Sequence, residues 1–247
     1  MIDFSKTKIH ASSLGKLFTP PKSVEDKKAG NLSASATTHL IDIYVEEKYG
    51  RKKDIETKGM RKGTTCEDES IYSLSEYIGE FCEKNEETLQ NDYIIGIPDV
   101  RLYSEIRNKK IIYEVKSPET IHTFMPRVLS GADDIHFAQT KAYMWLDNTD
   151  EGYIVFPLTD LPPAMLEKEF DWFLKKNMEL QNNPEQLAAS WAKAQKEFVY
   201  QDIPLNEKIL VIKVEKEADF EQNCKLKVEK AREFLHQFQE KHLNFNK

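Results

Sequence analysis

The sequence has few cysteines, no long apolar run and no excess of basic residues, and each of these shortages excludes a class of protein. Cys66, Cys82 and Cys224 are odd in number and widely spaced, so they predict neither a disulfide framework nor a CxxC metal knuckle. No stretch reaches the ~18 apolar residues of a membrane span, and the first residues lack the apolar segment of a secretion signal. We therefore expect free thiols and a cytoplasmic protein that does not bind a membrane.

Charge and histidine spacing exclude further classes. The formal net charge of -7 argues against a nonspecific nucleic-acid coat protein, because binding to phosphates requires clustered Lys and Arg. It leaves room for a metal-dependent phosphodiesterase, which needs carboxylates and a single basic groove. The six histidines show no HxH or HExxH spacing, so no zinc site is predicted. With 40% hydrophobic residues, the chain has ample material for a core, and we interpret 1–247 as one domain.

Hydrophobic periodicity predicts an α/β fold with a mixed sheet covered by helices. The predicted helices are 35–49, 58–83, 133–146, 163–180, 184–198 and a last helix that ends near 242. The predicted strands are 93–103, 110–116, 152–158 and 208–214, of which the first two form a hairpin. Residues 19–38 are rich in Pro, Lys, Ser and Gly, which predicts a loop or mobile arm.

Two predicted helices carry a polar residue on their apolar stripes. Glu67 lies four residues before Ile71 on the stripe of 58–83, and Gln139 lies on the stripe of 133–146. Both side chains are therefore expected to point inward. Alternatively, Glu67 belongs to a solvated acidic run, and Gln139 is a structural hydrogen-bond hub rather than a residue that positions water or phosphate.

The strand 110–116 also carries charge where apolar residues are expected. Side chains alternate along a strand, so Glu114 and Lys116 share one face with Ile112. Asp99 follows Pro98 on the preceding strand. The simpler alternatives are an exposed edge strand for Glu114 and Lys116, and an ordinary turn aspartate for Asp99. Taken together, these carboxylates and the lysine match the needs of phosphodiester hydrolysis, because magnesium prefers oxygen ligands and a lysine can orient the attacking water.

The same residues resemble a known motif. Asp99, the fourteen intervening residues and Glu114-Val115-Lys116 resemble the PD-(D/E)XK signature of a nuclease superfamily, including Pro98. The segment GTTCE, 63–67, resembles the upstream Gly-x-x-x-Glu helix of the phage lambda exonuclease-like (YqaJ-like viral recombinase) family. AQTKAYMWL, which contains Gln139, resembles the Ala-Gln helix of that family, and HASSLGKL resembles its Ala-Ser segment. The resemblance covers most of the chain in the expected order, and it is poor over about 19–58.

This resemblance implies a restriction-endonuclease-like core, in which a mixed central β-sheet is flanked by helices, with helical N- and C-terminal additions. It implies that Mg²⁺, or Mn²⁺ as a substitute, is bound by Glu67, Asp99, Glu114 and the backbone carbonyl of Val115. Lys116 and Gln139 are the further catalytic residues that it implies. Ser12 and Ser117 are expected to contact DNA.

The function that the resemblance implies is 5′ to 3′ exonuclease action on duplex DNA ends in phage-type recombination. A ring-shaped homo-oligomer, a single-strand annealing protein as partner and, for a phage-encoded chain, the host cytoplasm are implied with it. Only Lys6 and Lys8 are available near the Ala-Ser segment to bind a terminal phosphate, so end recognition stays open. Two alternatives remain, an endonuclease of the same fold and a noncatalytic DNA-binding protein.

Overall fold

The protein is described by a computed structural model over residues 1–54 and 56–245. Within these residues the strands are β1 (Ile9–His10), β2 (Leu89–Gln90), β3 (Ile94–Gly96), β4 (Val100–Ser104), β5 (Lys109–Val115), β6 (Gly152–Pro157) and β7 (Ile209–Val214). The helices are α1 (Ala11–Phe18), α2 (Val24–Ala29), α3 (Ala34–Tyr49), α4 (Lys58–Thr65), α5 (Glu67–Ile78), α6 (Ile121–Ser130), α7 (Asp134–Leu146), α8 (Pro163–Lys176), α9 (Pro184–Gln195) and α10 (Phe220–Leu243). The predicted α/β class is confirmed. None of the described helices is long and apolar enough to cross a bilayer.

The main sheet is mixed and has the strand order β4-β5-β6-β7. β5 and β6 are parallel, with Glu114 opposite Ile154, and β4 and β7 run antiparallel to their neighbours. Parallel neighbours require a long crossover connection, and the segment between β5 and β6 provides it with α6 and α7. β5 is therefore an interior strand, and the alternative of an exposed edge strand for Glu114 and Lys116 is wrong.

Both faces of β5 are covered, each by different helices. Ile111 and Tyr113 pack with Ile71 and Leu74 of α5. Ile112 belongs to the core cluster formed with α1, α3, α7 and α10. The alternation predicted from the sequence therefore holds, and it directs Glu114 into the protein on the same side as Ile112.

The predicted strand 93–103 is instead two strands in two different sheets. β3 pairs with β1 and β2 in a small sheet of order β1-β3-β2, whereas β4 pairs with β5. Pro98 lies between β3 and β4, and proline cannot donate a hydrogen bond to a ladder. The break places Asp99 at the junction of the two sheets, directly before β4.

Three other segments also differ from their predictions. The predicted loop or arm 19–38 contains α2 and the start of α3, because Ser23 and Ser33 act as N-caps that accept hydrogen bonds from backbone N–H groups. The predicted helix 58–83 is two helices separated at Cys66, and the second ends at Gly79 in the left-handed conformation. No helix is predicted between 116 and 133, but this segment contains α6, which begins with a capping box at Thr120.

The packing of α1 on α7 sets the position of the helix that carries Gln139. A Cβ atom on Gly15 of α1 would lie only 2.6 Å from the Cα atom of Ile135 in α7. Because the clashing atom belongs to the backbone, no side-chain rotation can relieve the contact. Glycine at this position therefore allows the two helices to approach closely.

We expect Gly15→Ala to destabilise the fold by about 1–3 kcal/mol, because the added methyl group overpacks this interface. Denaturant unfolding followed by circular dichroism measures the change. Gly63→Ala is the matched control, because a Cβ atom on this other helical glycine meets no atom of the described residues within 4 Å. Alanine favours a helix over glycine by up to about 1 kcal/mol, so the control is expected to be neutral or stabilising. Equal stability of the two variants would contradict the prediction.

Candidate active site

An open cleft of about 420 Å³ lies between α4 and the C-terminal end of β5. It is lined by Gly59, Met60, Gly63, Thr64, Glu67, Asp99, Val115, Lys116 and Ser117. Three segments that are far apart in the sequence thus bring together most of the residues that the sequence predicted to carry chemistry. Glu114 lies two residues before Lys116, on the same face, and is completely buried beside the cleft.

Asp99 is held in place by backbone hydrogen bonds. Its Oδ2 atom accepts a hydrogen bond from the Val115 N–H at 2.6 Å, which joins the start of β4 to the end of β5. The Asn85 backbone N–H donates to the Asp99 carbonyl, and the Asn85 side chain donates to the Pro98 carbonyl. Burial raises the pKa of Asp99, although Lys116 and the Val115 N–H act in the opposite direction.

The buried Glu114 and the partly exposed Lys116 form a hydrogen-bonded pair, which becomes an ion pair when Glu114 loses its proton. The Lys116 ammonium donates to Oε1 of Glu114, whereas Oε2 of Glu114 is buried and has no hydrogen-bond partner among the described residues. Burial, together with the nearby charge of Asp99, raises the pKa of Glu114 to about 8. Burial by itself would lower the pKa of Lys116, but the charges of Glu114 and Asp99 raise it overall. A second positive charge would therefore be favourable at this group of carboxylates.

Glu67 lies at the rim of the cleft rather than in the interior. It is the first residue of α5, where the helix dipole favours a negative charge, and 24% of its side chain is exposed. Its Oε2 atom accepts a hydrogen bond from the Lys84 ammonium at 2.7 Å. In this structure Glu67 is therefore paired with a lysine.

Gln139 and the two predicted DNA-binding serines lie in different places. Gln139 is buried and donates to the Tyr143 hydroxyl at 3.3 Å. Burial and then the charge of Glu114 raise the pKa of Tyr143, so this pair lies next to the carboxylates without lining the cleft. Ser117 lines the cleft, and its hydroxyl shares a hydrogen bond of 2.7 Å with Ser70. Ser12 is exposed on α1 and is not among the residues that line the cleft.

The carboxylates have the chemistry of a magnesium site, but their side chains are not arranged as one. Among the described residues, no three His, Cys, Asp or Glu side chains are placed to hold a metal ion together. Glu67 is bound to Lys84, and Asp99 is bound to the Val115 N–H. All the donors are nevertheless oxygen atoms, and Oε2 of Glu114 has no partner among the described residues. The chemistry of the donors therefore fits a hard divalent cation, and to share one the side chains would have to rearrange, with Glu67 leaving Lys84.

The sequence analysis missed two lysines next to this site. Lys84 lies beyond the end of α5, and no periodicity in the sequence relates it to Glu67. Lys62 is completely buried in α4. The sequence holds one signal for Lys62, because it lies four residues before Cys66 on the predicted helix 58–83 and cysteine favours buried positions.

The raised pKa of Glu114 predicts how stability depends on pH in the metal-free protein. The folded state keeps this proton up to about pH 8, whereas the unfolded chain loses it near the ordinary value of 4.5. Stability should therefore fall as the pH rises through this window. We expect Glu114→Gln to remove the loss and to be more stable than the unsubstituted protein at pH 8, by on the order of 2 kcal/mol.

Chemical denaturation in the presence of EDTA, at pH values between 5 and 8, tests this expectation. Glu83→Gln is the control because it removes an exposed carboxylate. Parallel curves for Glu114→Gln and the unsubstituted protein would contradict the prediction.

No protein-family model and no curated protein matches the chain, but solved structures match nearly all of it. A phage-related exonuclease from Haemophilus somnus 129PT has a TM-score of 0.73 at 22% identity, over 96% of this chain and 97% of that one. The alkaline exonuclease of Laribacter hongkongensis has a TM-score of 0.60 at 12% identity, over 98% and 96%. Its complex with dAMP has a TM-score of 0.61 at 12% identity, over 96% and 94%. The fold that the sequence resemblance implied is therefore confirmed, and it is the fold of these exonucleases.

Proposed function

We propose that this protein is a magnesium-dependent deoxyribonuclease, and that it acts as an exonuclease on duplex DNA. The observation that carries the proposal is the completely buried Glu114, which is paired with Lys116 at the wall of an open cleft and has one oxygen without a partner among the described residues. A buried carboxylate without full hydrogen bonding is unfavourable for folding. A metal-assisted hydrolase would use such a carboxylate to hold its cation, which would offset this cost.

Glu67, Asp99, Glu114 and the backbone carbonyl of Val115 would hold the metal ion, Mg²⁺ or Mn²⁺. When bound, such an ion supplies positive charge to the phosphate oxygens and makes a coordinated water more acidic. The Val115 N–H fixes Asp99 at this position. Glu67 would have to release Lys84, to which it is hydrogen-bonded in this structure, before it could bind the metal ion.

Lys116 has the position needed to assist the attack on the phosphodiester. Its ammonium is beside Glu114, and its side chain lines the cleft. It can therefore orient the attacking water and stabilise the negative charge that develops on the phosphate. Its charge also favours the ionised forms of Asp99 and Glu114, because it lowers their pKa values against the effect of burial.

Ser117 and Gly63 are suited to contact the DNA backbone. The Ser117 hydroxyl is held by Ser70 at the cleft surface and can donate to a phosphate oxygen. Gly63 lines the opposite side, where the absence of a side chain leaves open space. Ser12 and Gln139 are more remote in this structure. Gln139 would therefore influence the reaction through its hydrogen bond to Tyr143, which lies next to the carboxylates. Ser12 would contact DNA only if the bound duplex extends beyond the cleft.

Exonuclease action is favoured over endonuclease action by the similar structures. They are a phage-related exonuclease and an alkaline exonuclease, the latter also in complex with a deoxynucleotide. The wider proposal includes 5′ to 3′ polarity, a role in phage-type recombination, a ring-shaped homo-oligomer and a single-strand annealing partner. These four points rest on the likeness in fold alone, whereas the proposed chemistry rests on the residues of the cleft.

Linear duplexes labelled at the 5′ or the 3′ end, and a closed circular duplex, test the proposed activity. We expect Mg²⁺-dependent release of mononucleotides from the linear duplexes, with the 5′ label released first, and no cleavage of the circle. Cleavage of the circle would instead indicate an endonuclease. DNA binding without cleavage at any Mg²⁺ or Mn²⁺ concentration would indicate a noncatalytic protein and overturn the proposal.

Two substitutions separate metal binding from the chemical step. Lys116→Ala is expected to retain Mn²⁺ binding, measured by titration calorimetry, while turnover falls by about 10²–10⁴-fold because the group that assists the water is lost. Asp99→Asn keeps an oxygen that can accept from the Val115 N–H but loses the charge, so Mn²⁺ affinity itself should fall. Unchanged turnover in Lys116→Ala would remove this lysine from the mechanism.

A further inference from the structure

Lys62 is a completely buried lysine that the mechanism above does not use. Its ammonium donates to three backbone carbonyls, those of Pro118 at 3.0 Å, Glu119 at 3.2 Å and Thr159 at 2.7 Å. A lysine ammonium has three donors, so all of them are satisfied. Its charge also lies 5.7 Å from the centroid of the Tyr200 ring.

Two of the three carbonyls belong to the segment that continues the side of the cleft opposite α4, and the third belongs to the segment after β6, the strand that pairs with β5. Pro118 and Glu119 directly follow Lys116 and Ser117, and Thr159 follows β6. Lys62 itself belongs to α4, whose Gly59, Met60, Gly63 and Thr64 line the cleft. A Cβ atom on Gly59 would lie 3.4 Å from the Glu119 carboxylate, so the two sides approach closely there as well. Lys62 therefore connects the two sides of the cleft.

A buried ammonium is a costly way to connect two segments. Burial lowers the pKa of Lys62, because the charged form loses its solvation by water. Its direct partners are neutral carbonyls, although the carboxylates of Asp160, Glu69 and Glu119 lie near enough to oppose the effect of burial. An apolar side chain would avoid this cost but would leave the three carbonyls without the donor that Lys62 supplies. The ammonium offers instead three directed hydrogen bonds to fixed backbone positions.

We propose that Lys62 is a positioning residue of the candidate site, and that its hydrogen bonds set the separation between Glu67 on one side of the cleft and Lys116 and Ser117 on the other. The inference rests on the proposed function, because the separation matters through the metal ion that both sides would bind. Loss of the hydrogen bonds should allow the segment after Lys116 to move relative to α4. Metal affinity should then fall without global unfolding.

The test compares Lys62→Met, Lys62→Gln and Lys62→Arg with the unsubstituted protein. Mn²⁺ binding without DNA is measured by electron paramagnetic resonance, Mg²⁺-dependent turnover by release of nucleotides, and folding by circular dichroism. Lys62→Met and Lys62→Gln should be folded but bind Mn²⁺ at least about tenfold more weakly, and their half-saturating Mg²⁺ concentration should rise by a similar factor. Lys62→Arg, which keeps the charge and several donors, should recover most of the affinity.

Lys58→Met is the matched control, because it removes a lysine from the same helix whose partner is Glu169 rather than the segment after Lys116. It should bind Mn²⁺ like the unsubstituted protein. Folded Lys62→Met or Lys62→Gln with unchanged Mn²⁺ affinity would overturn the proposal. So would failure of both to fold, since Lys62 would then serve the fold as a whole. If the unsubstituted protein neither binds Mn²⁺ nor cleaves DNA, the proposed function itself fails, which is a distinct result.

Discussion

A carboxylate buried inside a covered sheet is the constraint on which the candidate site depends. Glu114 is on an interior strand whose two faces are packed by helices, so water cannot solvate its charge. Lys116 contacts one oxygen, and the other has no partner among the described residues. The same burial raises the pKa of Glu114 to about 8. The proposed divalent cation would supply the missing positive charge beside the cleft. The surrounding core is close-packed and cannot rearrange to solvate the carboxylate.

The surroundings of Glu114 hold each polar group by a specific contact. The break at Pro98 ends one sheet and begins the next, and this places Asp99 against the Val115 N–H. Lys84 holds Glu67, and the hydrogen bonds of Lys62 reach both sides of the cleft. Several of these contacts bury charge, which opposes folding. The large apolar clusters on both faces of the sheet offset that cost, as expected for a protein whose site is less stable than its core.

Similar folds at 12–22% identity show how little of a sequence an α/β scaffold fixes. The scaffold requires apolar residues at the right periods, and many combinations satisfy that requirement. The site is more restrictive, because it needs particular functional groups at the ends of particular strands. For this reason Glu114, Lys116 and Asp99 carry the proposed nuclease chemistry, and the likeness in fold supports only the choice among reactions that such a site can perform.

The sequence by itself determined the strand that carries Glu114 and Lys116, because the period of two along β5 directs both residues to one face whatever lies beside them. It also determined α7, β6 and β7, because no proline or other break divides their patterns. It failed at 93–103 and 58–83, where breaks at Pro98 and Cys66 interrupt otherwise continuous patterns, and at 19–38, where the serines that resemble a loop are helix caps. Only the tertiary structure decided that Glu67 is paired with Lys84, that Gln139 contacts Tyr143 and that Lys62 reaches Thr159. Such contacts depend on how separate elements pack, and no local periodicity records which distant group will fill a given position.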